Sequence, residues 1–156
     1  MFLWLESTPV ALWVSLSLWA YPLLLAAHIV GLAIVVGLFS MRDLRLLGLF
    51  SGLRLDAFLP LSRLAWAGFI INAISGILLF TSQAVTFAGN TPFLIKISAI
   101  IVGMVLAGVI QSRLRAELSA SAGEQVDSVG SIRVIAMASL TCWFTAIVAG
   151  RLIAYF

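Results

Sequence analysis

The segment 21–40, YPLLLAAHIVGLAIVVGLFS, runs for twenty residues without an acid, a lysine or an arginine. As a helix it rises about 30 Å, the thickness of a bilayer's hydrocarbon core. Three further stretches have the same character: 64–84, 93–112 and 134–156, the last two interrupted by a single charge each, Lys96 and Arg151. Hydrocarbon offers the backbone no water to bond, so each run must satisfy its own N–H and C=O groups. A barrel would instead show alternating strands of about ten residues. The expected fold is therefore all-α, an integral membrane four-helix bundle forming a single transmembrane domain over residues 1–156. Ahead of it, residues 9–20 are too few to span. Thr8 can cap a helix there and Pro9 suits its first position. With Trp4, Trp13 and Trp19 this part reads as a short N-terminal interfacial helix, or as a tilted extension of the first span kinked at Pro22. Glu6 precedes the apolar part and no Lys or Arg does, which does not fit a secretory signal.

Composition supports the same class. Of 156 residues, 63% are hydrophobic and 10% charged, against about 45–50% and 25% in soluble domains, and mean hydropathy is +1.18. One cysteine excludes an intramolecular disulfide and an iron–sulfur cluster, and one histidine excludes an all-protein multi-His metal site. The net charge is only +3 and the arginines flank apolar runs, so the basic excess reports topology and not nucleic acid. Seven of the nine basic residues, Arg42, Arg45, Arg54, Arg63, Arg113, Arg115 and Arg133, surround the first and third connections. Those connections are expected in the cytoplasm, with both termini on the outer, periplasm-like face. The first, 41–60, reads as an amphipathic segment in which Arg42, Asp43 and Arg45 form a cap. The third, 115–131, reads as a polar loop. All six acids are placed outside the spans, which disfavours chemistry built on buried carboxylates.

Lys96 and Arg151 then fall about 6 and 7 Å inside the outer ends of their helices, and His28 about 10 Å inside its own. Three helices thus deliver one cationic or ligand-capable group each to one level, with Asn72 and Gln83 at its edge. Gly31, one turn from His28, is expected to leave room beside the imidazole for a flat ligand. In the second span Gly68, Asn72, Ser75, Gly76 and Gln83 share a face, and in the fourth Thr141, Cys142, Thr145 and Ala149 do. The same residues admit a plainer role: His28 bonding a neighbouring helix, Lys96 and Arg151 snorkelling to outer phosphates, small residues permitting close packing.

The stretch His28-Ile-Val-Gly31, followed by Val36-Gly37-Leu38-Phe39 and Arg42, resembles the first helix of small bacterial membrane proteins related to HemJ, the oxygen-independent protoporphyrinogen oxidase. Pro92-Phe93-Leu94-Ile95-Lys96 is similar to the opening of that family's third helix. A similar histidine marks the membrane domain of copper-resistance protein D. Asp43 to Gly48 and Asn90 to Lys96 most resemble a bacterial family of four-span membrane proteins. What the HemJ likeness implies is haem b, with His28 as axial ligand, Lys96 as the matching lysine, and Lys96 and Arg151 on the propionates. The family's further histidines have no counterpart here. With one histidine the iron would be five-coordinate, or would take Met104, Lys96 or a group from a second subunit. The expected function is a haem-b-binding membrane protein, active in electron transfer or porphyrin handling near the outer face, within a respiratory assembly. The alternative is a non-catalytic membrane subunit that binds partner helices or lipid, as a homo-oligomer or in a complex.

Overall fold

The computed structural model describes residues 2–119 and 128–155. Two short helices, α1 (Phe2–Glu6) and α2 (Pro9–Leu16), precede α3 (Ala20–Leu46). A 3-10 turn, Leu55–Ala57, leads into α4 (Phe58–Ser82). The short α5 (Ala84–Ala88) then links to α6 (Thr91–Ser119), and α7 (Ser128–Leu152) closes the described chain. Four segments are long and apolar enough to cross a membrane: Ala20–Leu46, Leu55–Ser82, Thr91–Glu117 and Gly130–Leu152. No strand occurs among the described residues, so the architecture is the all-α bundle expected from the apolar runs.

The boundaries differ where helix outlasts apolar sequence. Residues 41–46, assigned above to a connection, complete α3, and the first link is only 47–57. Gly48 and Phe50 turn it at φ 100° and 54°, and Arg45 Nε donates to Leu53 O across it. The third connection is likewise shorter than 115–131, because α6 continues to Ser119 and α7 begins at Ser128; the rest of that loop lies outside the described residues. The N-terminal helix of residues 9–20 stops at Leu16. Thr8 Oγ1 accepts the Ala11 N–H as its cap, with Pro9 behind it as expected. The chain breaks at 17–19, and Pro22 sits harmlessly in the first turn of α3 instead of kinking it.

α3 pairs closely with α4 and α6 with α7, and α3 also packs on α7. Between α4 and α6 the separation is wider, bridged at one end by stacked Phe80 and Phe93, ring centroids 5.5 Å apart. Val35, Phe39, Ala65, Met104, Ala107 and Trp143 form the buried centre, with every spanning helix contributing. Phe39 and Trp143 stack there at 5.8 Å. Phe2 packs on Phe80, and Glu6 Oε1 accepts the Val85 N–H, so the N-terminus lies at the α4–α6 connection. The last turn of α7 lies there too, since Gly150 adjoins Lys96. That end is called the terminal end below; the opposite one, with the 47–57 link, is the arginine end.

Close approach of α3 and α4 has a specific cause. A Cβ on Gly31 would stand 2.8 Å from both Asn72 N and Gly68 O, and one on Gly68 would stand 2.7 Å from the Ile34 side chain. Only hydrogen at these two positions lets the backbones meet, the small-residue crossing that lipid-embedded helices use. This corrects the expectation for Gly31: the space it frees is filled by the α4 backbone and not left for a flat ligand.

Candidate functional site

At the terminal end, the α3–α4 crossing brings His28 and Asn72 within mutual reach. Asn72, buried, donates its Nδ2–H to the His28 carbonyl at 2.8 Å. His28 Nδ1 lies 2.9 Å from the Asn72 carbonyl and 3.2 Å from Ser75 Oγ. A carbonyl can only accept, so Nδ1 carries the proton. The Ser75 hydroxyl donates to Ile71 O at 2.6 Å, which leaves its lone pairs available to the same N–H. The other nitrogen, Nε2, faces the Lys96 ammonium, which can only donate, so Nε2 is the accepting nitrogen of the ring. Lys96 Nζ, arriving from α6 across the bundle, donates to it at 3.4 Å.

Two glycines shape the surroundings. A Cβ on Gly76 would stand 2.9 Å from His28 Cε1, so α4 lies against the imidazole edge. One on Gly150 would touch the Lys96 stem and ammonium at 3.5–3.7 Å, so α7 gives the lysine a smooth wall. Phe93, one turn before Lys96, stacks on Phe80 and Phe87 and fixes the start of α6, where Asn90 Oδ1 accepts the Phe93 N–H as cap. Lys96 makes no ion pair among the described residues; both salt bridges found there are Arg–Asp pairs at the arginine end.

Of the residues singled out above, His28, Asn72 and Lys96 come together, and Gly31 sets the crossing that allows it. Arg151 does not join them: it is exposed, donates to Tyr155 Oη at 3.0 Å and lies over that ring. Gln83 is exposed at the end of α4, its backbone N–H bonding Phe80 O, and takes no part. Met104 packs in the apolar centre, away from the imidazole. Thr141, exposed, and Cys142 and Thr145, half-buried, line a groove of about 420 Å³ with Leu94, Ile95 and Ser98, while Ala149 is buried. Ser75 and Gly76, on the helical face shared with Asn72, also belong to the site, as does Gly150, which spacing alone did not mark.

The arginine end holds a second polar layer. Arg42 and Asp43, expected as a cytoplasmic cap, are 1% and 0% exposed. Arg42 Nε and Nη2 donate to Asp43 Oδ1 at 3.0 and 2.8 Å, and Nη1 donates to Ala107 O at 3.1 Å. The guanidinium also lies 4.9 Å from the Phe39 ring centroid. One of the six acids is therefore buried inside a spanning helix, which overturns the placement of all of them outside. Gln111 donates to Ser62 across the α4–α6 gap at 3.2 Å, and Trp143 donates to buried Ser139 at 3.1 Å. From His28 to Arg42 is about 21 Å along α3.

Comparison with protein-family profiles, curated proteins and solved structures finds no match.

Proposed function

We propose that the chain is a haem-b-binding protein of the bacterial inner membrane, serving electron transfer or porphyrin handling, with His28 as iron ligand. The observation that carries this reading is the 3.4 Å contact between Lys96 Nζ and His28 Nε2, a cation beside a ligand-capable nitrogen in a layer without a carboxylate partner for it. The residues fit the group in two ways. Metal-bound histidines commonly donate their other N–H to a carbonyl, and His28 Nδ1–H is held by Asn72 O. An ammonium without a counter-ion among the described residues suits a propionate, through a charge-assisted bond. Two movements are required: Lys96 must leave Nε2, which its flexible stem beside Gly150 permits, and room for the macrocycle must open on the Nε2 side, because α4 fills the space at Gly31 and lies against the ring at Gly76. Bound haem supplies one-electron chemistry at a potential set by its ligands and burial. The chain's own part is to present Nε2 in a fixed tautomer, hold the ring against Gly76, and bring Lys96 to the acidic edge of the ligand.

The arginine end is assigned to the cytoplasm on its charge, with both termini on the periplasmic side. The test is an absorption spectrum of protein purified from haem-replete cells. A Soret band that His28→Ala abolishes or shifts is expected; colourless protein overturns the proposal. One observation favours a second reading, a non-catalytic subunit that binds lipid or partner helices: both ring nitrogens of His28 are already partnered within the chain. The same spectrum separates the two.

A further inference from the structure

We infer that the arginine end contains a built binding site for one water molecule, held between Arg42, Ser62 and Gln111. A cavity of about 10 Å³ lies there, lined by these three with Phe39, Phe58 and Ala65 among the apolar contacts. That is room for one water and no more. The donor and acceptor balance of the walls states what belongs in it. Arg42 has five N–H groups, of which Asp43 and Ala107 take three, leaving two unused. Ser62 gives its hydroxyl proton to Leu59 O at 2.6 Å and so can only accept from Gln111. This fixes the Gln111 amide with Nε2 toward Ser62 and Oε1 free.

Gln111 is 7% exposed, and Oε1 has no partner among the described residues. A buried acceptor left alone keeps the full cost of its desolvation, so a donor is required. Water supplies it: it donates to Gln111 Oε1 and to the remaining lone pair of Ser62, and accepts from an unused Arg42 N–H. Three partners are typical for a buried water. A cation is excluded by the adjoining guanidinium, and the cavity is too small for an organic ligand. The three partners sit on α3, α4 and α6, so the water braces the widest joint of the bundle. It is independent of His28 and of any cofactor at the terminal end.

Radiolytic footprinting of the whole chain in lipid nanodiscs tests this. An X-ray pulse splits bound water in place, and the hydroxyl radical oxidises the nearest side chain, read by mass spectrometry. Phe39 and Phe58 are only 3% and 5% exposed and should be oxidised only if water lies beside them. The expected result is labelling of either in the parent, falling several-fold in Gln111→Leu, with exposed Phe50 unchanged as the dose control. Where that variant does not fold, Ser62→Ala, which removes one partner of the water, takes its place. An unlabelled Phe39 and Phe58 in the parent, or equal labelling in the variant, overturns the inference.

Discussion

His28 and Asn72 are bonded to each other twice, each side chain to the other's backbone carbonyl, at 2.9 and 2.8 Å. Such a reciprocal pair needs two helix backbones almost in contact, and Gly31 against Asn72 and Gly68 supplies that. The clasp fixes the imidazole by geometry instead of by a carboxylate, a polar link between helices in an environment where an unpaired polar group is costly.

Gly31→Ala should separate α3 from α4. The added Cβ meets backbone atoms at 2.8 Å, which cannot move as a side-chain tip can. A loss of about 1–3 kcal/mol is expected, measured by denaturant titration in detergent micelles. Parent-like stability would show that the crossing is looser than described.

Gly76→Ala acts on the ring and not on the backbone, since its Cβ would meet His28 Cε1. If haem is bound as proposed, the variant should retain helix content by circular dichroism while its Soret maximum shifts or its haem content falls. An unchanged spectrum would place the ligand elsewhere than His28.

Lys96→Ala should leave the Soret band in place but weaken haem retention. Hydrogen bonds to charged groups are worth about 1.5–3 kcal/mol, so the dissociation constant should rise by roughly ten- to hundred-fold. Competition with apomyoglobin measures it. Arg151→Ala, whose partner is Tyr155, should have little effect. A larger loss in Arg151→Ala than in Lys96→Ala would reverse the assignment.

Asp43→Ala leaves the Arg42 guanidinium buried without its carboxylate, at a cost of about 3–5 kcal/mol. Replacing both partners, Arg42→Met with Asp43→Leu, should recover most of that loss, because neither charge then needs compensation. Equal destabilisation by the single and double variants would mean that the pair is not a closed unit.

The spans, their helical state and the short leading helix were legible in the sequence because lipid permits few alternatives and apolar runs mark them directly. Helix ends were not, since α3 continues for a turn and a half through Arg42, Asp43 and Arg45 once those charges are satisfied inside the protein. Composition registers Asp43 as a surface acid; only the packing of α6 against Arg42 shows that it is enclosed. The meeting of His28 with Lys96 followed from depth alone. Arg151 did not follow, because depth says nothing of azimuth: one step of 100° puts Gly150 on the inward side and Arg151 on the outside.

The two polar layers are parted by the apolar cluster of Val35, Phe39, Met104 and Trp143. That cluster acts as an electrical insulator. His28 lies nearer the terminal end and Arg42 nearer the arginine end, so a proton exchanging at the imidazole would pass to the terminal side, and the water inferred beside Arg42 would belong to the opposite one. Under the proposed function, chemistry at the imidazole would therefore be sided, answering to the pH at the terminal end and not to that at the arginine end.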